Sequence, residues 1–228
     1  MYVNQYVSST VALDAGSAGR LTLVQETGFP ESETVTLTVL PESPSAAFSL
    51  HLRMPPWCET PDVRVNGERV EAIAPGTYAV IDRTWKQGDR VEIRLPMRLQ
   101  WVEREADPAG YVALKRGPVV YSLDTVWWDA AARAALGDVP ADLSQTVGLC
   151  DEGDGLSVDL ETVAAPERAL GPACLVRVAA PGGTVLSVPM LPFANTGCWY
   201  HDDASRPGKE QSAYAYAVWL KPASRIRE

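Results

Sequence analysis

Hydrophobic and polar residues alternate along most of the chain with a period of two. Val35, Leu37 and Val39 alternate with threonines, the segment 48–54 alternates with serine, histidine and arginine, and the segment 91–95 alternates with charged residues. This alternation turns one face of a strand toward a core and the other toward water, whereas a helix needs apolar residues three and four positions apart. The pattern predicts strands in these three segments.

Turn residues separate these segments from further strands. Asn66-Gly67 tolerates positive φ and lies between two short alternating stretches, which predicts a tight hairpin. Lys86–Asp89 predicts a similar turn between the strands 78–81 and 90–95. The other predicted strands are Met1–Ser8, Arg20–Glu26, Gly110–Lys115, Val119–Leu123, Leu156–Thr162, Cys174–Ala179, Thr184–Met190 and Tyr214–Lys221.

Only one stretch of the sequence has helical character. Trp128–Gly137 is rich in alanine, with Asp129 as its N-cap and Gly137 as its stop. Many short strands, regular turn signals and one short helix predict an all-β fold of two consecutive antiparallel, jelly-roll-like β-sandwiches. Alternation stops in the polar segment Glu105–Gly110. We therefore expect the domains to span residues 1–104 and 105–228.

Composition excludes several classes of partner. The 228 residues carry a formal net charge of −9, which argues against nucleic acid and anionic membranes as partners. The sequence contains no apolar run of transmembrane length and no visible signal peptide, so we expect a cytoplasmic protein.

The four cysteines form no CxxC pair, which argues against a zinc or redox motif and favours free, buried thiols. We therefore expect no cofactor and no metal site.

A search for catalytic motifs finds none. The chain has no GxSxG, HExxH or nucleotide-binding glycine motif, and paired carboxylates cannot be recognised from spacing. His51 is expected to be a solvated strand residue, and the sequence around His201 favours a polar loop over a metal site. Among seven tryptophans, Trp57, Trp85 and Trp219 are expected in a core or domain seam.

The long polar loop near the C-terminus is the better candidate for binding. Trp199, Tyr200 and His201 lie within it, and aromatic rings on a β-sandwich loop can stack on the C–H faces of sugars. The sequence leaves two roles open for this loop, a carbohydrate-binding surface and an interdomain contact.

Several separated blocks resemble the β-sandwich region of glycoside hydrolase family 127, which contains β-L-arabinofuranosidases. In the first half these are Phe48–Cys58, Val63–Glu68 and Gly76–Met97. In the second half they are Val112–Tyr121, Val188–Asn195 and Tyr216–Leu220. The aromatic-rich pattern that closes the family's sequence is reduced here to Pro192-Phe193-Ala194-Asn195.

The resemblance implies that this chain lacks the family's catalytic residues. The family hydrolyses arabinofuranosides with retention, through a zinc-bound cysteine as proposed nucleophile and a glutamate as acid/base. Both lie in an (α/α)6 barrel that precedes the sandwiches, so no catalytic or zinc-binding residue is carried over to this chain. The resemblance predicts a non-catalytic portion, inactive alone, that braces a barrel domain or subunit and forms homo-oligomers. It leaves open a truncated gene product or one subunit of a split enzyme.

Two other functions remain alternatives at this point. The chain could be a free-standing carbohydrate-binding module for arabinose-containing glycans, with the Trp199–His201 loop as its contact. It could also be an enzyme that uses acidic residues which sequence alone does not pair.

Overall fold

The computed structural model describes residues 1–106, 110–137, 143–150, 162–163, 171–195 and 216–222. The chain divides into two compact units, Met1–Met97 and Arg98–Glu228. Most described residues of both units lie in strands, and nearly all pairings are antiparallel, which confirms the predicted all-β class. None of the described helices has the length and apolar character needed to cross a membrane.

The first unit is built from two sheets. Its strands are β1 (Tyr2–Val3), β2 (Ser9–Asp14), β3 (Arg20–Thr27), β4 (Thr34–Pro41), β5 (Ser45–Arg53), β6 (Asp62–Val65), β7 (Glu68–Arg69), β8 (Tyr78–Lys86) and β9 (Asp89–Arg94). One sheet has the order β1-β5-β8 and the other the order β2-β3-β4-β9-β6-β7. In this unit only β1 pairs in parallel, with β5.

The inward faces of the two sheets share one core. Alternation predicted inward-facing apolar residues in three segments, and nine of the ten are completely buried: Val35, Leu37, Val39, Leu50, Leu52, Met54, Val91, Ile93 and Leu95. The tenth, Phe48, is only partly buried and packs against this core. Trp85 of β8 is also completely buried, as expected for it, and its indole N–H donates to the Phe48 carbonyl at 3.0 Å. The alternating pattern is therefore a correct guide to the core in these strands.

The two predicted turns differ in what they connect. Asn66 and Gly67 have φ of 51° and 86° and join β6 to its hairpin partner β7, which confirms the first prediction. Lys86–Asp89 joins β8 in one sheet to β9 in the other, so the hairpin expected there is wrong. The reason is that β8 pairs with β5, while β9 pairs with β4 and β6.

The second unit contains one large sheet. Its described strands are β10 (Leu99–Glu103), β11 (Val112–Arg116), β12 (Val119–Asp124), β13 (Gly148–Leu149), β14 (Thr162–Val163), β15 (Ala173–Ala179), β16 (Val185–Pro192), β17 (Tyr216–Ala217) and β18 (Lys221–Pro222). The order is β10-β11-β12-β16-β15-β13-β18, with β14 beside β15 and β17 beside β12. Strand β10 lies before the segment Glu105–Gly110 and pairs with β11 of this unit.

The predicted helix is confirmed inside its expected range. Helix α1 (Ala130–Ala135) begins after Asp129, whose carboxylate accepts the Ala132 N–H at 2.7 Å. A second helix, α2 (Leu143–Thr146), was not predicted. It is a single turn, which is too short for a helical period to appear in the sequence.

Some predicted strands are shorter in the structure. Of Met1–Ser8 only β1 is a strand, because Tyr6 leaves the sheet to bury its ring and donate its hydroxyl to the Arg53 carbonyl at 2.7 Å. Tyr214–Lys221 is represented by β17 and β18 among the described residues. The predicted strand Leu156–Thr162 lies almost entirely outside the described residues.

Candidate functional site

The three residues predicted to contact carbohydrate lie outside the described residues. Trp199, Tyr200 and His201 belong to residues 196–215, and their role stays a prediction. The described residues on both sides of this segment are close to β12. Ala217 and Tyr216 pair with Leu123 and Asp124 of β12, and the short helical turn Phe193–Asn195 lies against the same strand.

Polar residues are buried at this end of β12. Ser122, Asp124 and Thr125 are almost fully buried, and the Asp124 carboxylate accepts the Val126 N–H at 3.0 Å. Asn195 is equally buried and donates its side-chain amide to the Pro192 carbonyl at 3.1 Å. Because buried polar groups are costly unless they are hydrogen-bonded, these contacts stabilise the described backbone around Asp124 and Asn195.

The tryptophans outside that segment have different environments. Trp57 is half-buried and stacks on Phe29, with 6.3 Å between ring centroids. Trp219 is 36% exposed, so it does not lie in the core of its unit. The alternative that it lies at a domain seam stays a prediction. A strand pattern around an aromatic residue does not by itself say which face is covered, because both faces of a strand can carry apolar residues.

The three cysteines that the structure describes are not arranged as a zinc centre. Cys58 and Cys174 are buried, Cys150 is partly buried, and all three are free thiols, while Cys198 lies outside the described residues. Burial raises the pKa of the Cys58 and Cys174 thiols, which opposes the thiolate form that zinc requires. In the described ranges, no three His, Cys, Asp or Glu side chains cluster as metal ligands would.

An exposed group of aromatic residues lies on the outer face of the β1-β5-β8 sheet. Tyr2 stacks on His51, with 4.2 Å between ring centroids and 23° between planes. Tyr78 meets Tyr2 edge to face, at 5.3 Å and 89°. The exposed fractions are 62% for Tyr2 and 40% for Tyr78. We call Tyr2, His51 and Tyr78 the aromatic platform.

The register of the three strands brings the platform together. Tyr2 lies opposite His51, and His51 lies opposite Val80, so these three positions form a row across the sheet. Tyr78 lies two residues from Val80 and therefore on the same face. His51 is on the outer face as predicted, but the Tyr2 ring partly covers it, so it is not simply solvated.

Polar groups surround the platform. The Tyr78 hydroxyl donates to Asn4 Oδ1 at 2.8 Å. Arg53 lies opposite Tyr78 on the same face and is exposed. On the other side of the row, the Ser49 hydroxyl donates to the Asp82 carboxylate. Flat apolar rings bordered by hydrogen-bonding groups can bind a ligand that has apolar faces and a polar rim.

Sequence reasoning missed this platform for a definable reason. Tyr78 and Val80 alternate with Ala79 and Ile81. Because all four side chains have apolar surface, alternation does not say which pair faces inward. The available signal was the buried tryptophan further along β8. Trp85 shares a face with Ala79 and Ile81, and a large inward ring there leaves the tyrosine outside.

A family model matches the first unit. Residues 1–97 match the family model described as beta-L-arabinofuranosidase, GH127 middle domain. No curated protein matches the chain significantly.

Solved structures resemble the chain along nearly its whole length. A GH127 beta-L-arabinofuranosidase from Geobacillus stearothermophilus T6 is 26% identical with a TM-score of 0.66, covering 97% of this chain and 33% of that one. A glycoside hydrolase is 24% identical with a TM-score of 0.69, covering 97% and 36%. A GH127 beta-arabinofuranosidase is 22% identical with a TM-score of 0.70, covering 100% and 35%. The chain therefore spans about a third of the length of the solved structures it matches.

Proposed function

We propose that this chain is the accessory β-sandwich portion of a GH127-type glycosidase and braces its catalytic barrel, because residues 1–97 match the GH127 middle-domain family model. The observation that carries the proposal is the middle-domain match together with the extent of the structural likeness. Nearly all of this chain aligns to about a third of each larger GH127 chain. In this proposal the chain supplies a part of the enzyme that adjoins the catalytic barrel, and the reacting groups belong to the barrel.

The exposed edge of the first unit supports a bracing role. Strand β2 is the outermost strand of its sheet and pairs only with β3 among the described strands. Val11 on β2 and Val7 just before it are both exposed. An uncovered strand edge with exposed valines is a surface that proteins usually protect, and in this proposal the catalytic barrel covers it.

The first test of the proposal is catalytic activity. We expect the purified chain to release no nitrophenol from a panel of nitrophenyl glycosides that includes the β-L-arabinofuranoside, because its role is to support a catalytic domain. An added GH127 enzyme serves as the positive control in the same assay. Turnover by the chain alone would overturn the proposal, since an accessory portion does not carry the reacting groups.

The second test is association. When the chain is purified without a barrel, the uncovered β2 edge should pair with the same edge of a second copy. We expect sedimentation velocity to show oligomers and a hydrophobic dye to bind. Val11→Lys should reduce both, because a charge on an edge strand opposes pairing. Val185→Lys, the same change at an exposed valine of the second unit, is the matched control. A monodisperse monomer that binds no dye would contradict the bracing role.

A further inference from the structure

The aromatic platform presents rigid rings to solvent. One face of the Tyr2 ring rests on His51 at 4.2 Å, and its edge contact with Tyr78 limits rotation, so the ring is held while much of its surface stays exposed. A ring that is already ordered loses little conformational freedom when a ligand stacks on it. This arrangement suits binding better than it suits fold stability, because a tyrosine on the outer face of a sheet buries little apolar surface.

Hydrogen-bonding groups stand at the border of the platform. Asn4 accepts the Tyr78 hydroxyl through Oδ1, and its amide N–H groups make no hydrogen bond to a described residue. Arg53, beside Tyr78, forms no ion pair with any described residue of its unit. The Asn4 amide and the Arg53 guanidinium can therefore donate hydrogen bonds to the polar rim of a ligand that stacks on Tyr2.

The size of the platform argues for a small ligand. The exposed side chains with apolar surface at the platform and directly beside it are Tyr2, Tyr78 and Val80. A stable protein interface uses roughly 20–30 residues on each side, whereas one sugar ring covers about one aromatic ring. The positions of β5 and β8 that adjoin the platform carry charges of both signs, with Arg53 opposite Tyr78 and Asp82 opposite Ser49, so these strands do not select a strongly charged ligand.

We propose that the aromatic platform binds one residue of a neutral glycan. The C–H face of the sugar stacks on Tyr2, Tyr78 flanks it, and the Asn4 amide and Arg53 guanidinium donate to its hydroxyl groups. The site lies in the first unit and uses none of the residues Trp199–His201. It does not depend on the bracing role, although a glycan held here would be retained near a catalytic barrel.

The test is a titration of the full chain, labelled with 15N, with neutral arabinose, xylose and glucose oligosaccharides at up to about 20 mM. We expect at least one of them to produce saturable chemical-shift changes at residues 1–4, 51–53 and 78–80. Tyr2→Ala and Tyr78→Ala should each weaken binding about fivefold to tenfold. Tyr2→Phe should keep most of it, since the ring remains.

Controls separate ring stacking from damage to the fold. Phe193→Ala removes another exposed aromatic ring, in the second unit, and should leave binding unchanged. Because Tyr2→Ala could loosen the short strand β1, the independent Tyr78→Ala variant must agree with it, and both must keep the wild-type unfolding temperature of the first unit.

Three results would overturn the proposal. The first is no saturable change with any of the oligosaccharides. The second is binding that survives both alanine variants. The third is binding that is lost in Trp199→Ala but kept in Tyr2→Ala, which would move the site to the C-terminal loop. None of these results bears on the bracing role, which the activity and association experiments test separately.

Discussion

At the scale of single residues, Asp89 joins three segments of the first unit through one carboxylate. Its Oδ1 accepts the Asn66 side-chain amide at 2.9 Å, and its Oδ2 accepts the Lys86 N–H at 2.9 Å and lies 3.4 Å from Arg83. Burial alone would raise the pKa of Asp89, but these two hydrogen bonds and the charges of Arg83 and Lys86 lower it below its ordinary 3.8. Asp89 thus fixes the chain where it crosses between the sheets.

We predict that Asp89→Asn lowers the free energy of unfolding by about 1–3 kcal/mol at pH 7, because the ionised acceptor is lost. Since the folded-state pKa is lowered, the carboxylate stabilises the fold above pH 3.8 and loses that effect as pH falls through the folded-state value. Urea unfolding of both proteins from pH 7 down to pH 3 should show the difference shrinking.

Glu92→Gln is the matched control for Asp89→Asn. Glu92 pairs with Arg90 at 3.3 Å on an exposed surface, where an ion pair contributes about 0–1 kcal/mol. An equal loss of stability in both variants, or a difference for Asp89→Asn that grows on acidification, would contradict the role given to Asp89.

At the scale of elements, the hairpin β6–β7 depends on backbone conformation more than on side-chain packing. Gly67 has a φ of 86°, and no atom lies within 4 Å of the position that a Cβ would occupy. Adding a methyl group there would clash with nothing, so any cost arises from the left-handed backbone itself.

We predict that Gly67→Ala lowers the free energy of unfolding by about 1–2 kcal/mol, as measured by urea unfolding. Gly28→Ala is the control, because Gly28 is not in the left-handed region and its added Cβ would make an ordinary 3.4 Å contact with Ser32. We expect that variant to be close to wild type. A loss at Gly28 as large as at Gly67 would argue against a backbone origin.

At the scale of the whole molecule, each unit has a core of its own. The core of the first unit consists entirely of residues from Met1–Met97, the range that matches the GH127 middle domain. A chain of about this length can bury enough apolar surface to fold alone.

We predict that residues 1–97, produced alone, unfold in one cooperative transition. Circular dichroism and dispersed amide NMR signals would measure this, with Trp85→Ala as a destabilised control that removes the largest buried side chain. A fragment without a cooperative transition would show that the first core needs the rest of the chain.

Local sequence signals account for much of this fold. Alternation identified the buried faces of β4, β5 and β9, the Asn66-Gly67 pair identified a hairpin, and Asp129 identified the start of α1. The separated blocks of the sequence also resemble the GH127 β-sandwich region, and the middle-domain family model matches residues 1–97. The strands, the hairpin and the start of the helix depend on residues that are neighbours in the chain, and the family likeness depends on the order of blocks along the chain, so the sequence by itself determined them.

Strand pairing and the aromatic platform were decided only by the tertiary structure. No local signal states that β8 and β9 belong to different sheets, because each finds its partners far away in the sequence. Tyr2, His51 and Tyr78 come from three distant strands, and only the register of those strands stacks their rings. Pairing depends on which packing buries Trp85 and its neighbours together, and that is a property of the whole core.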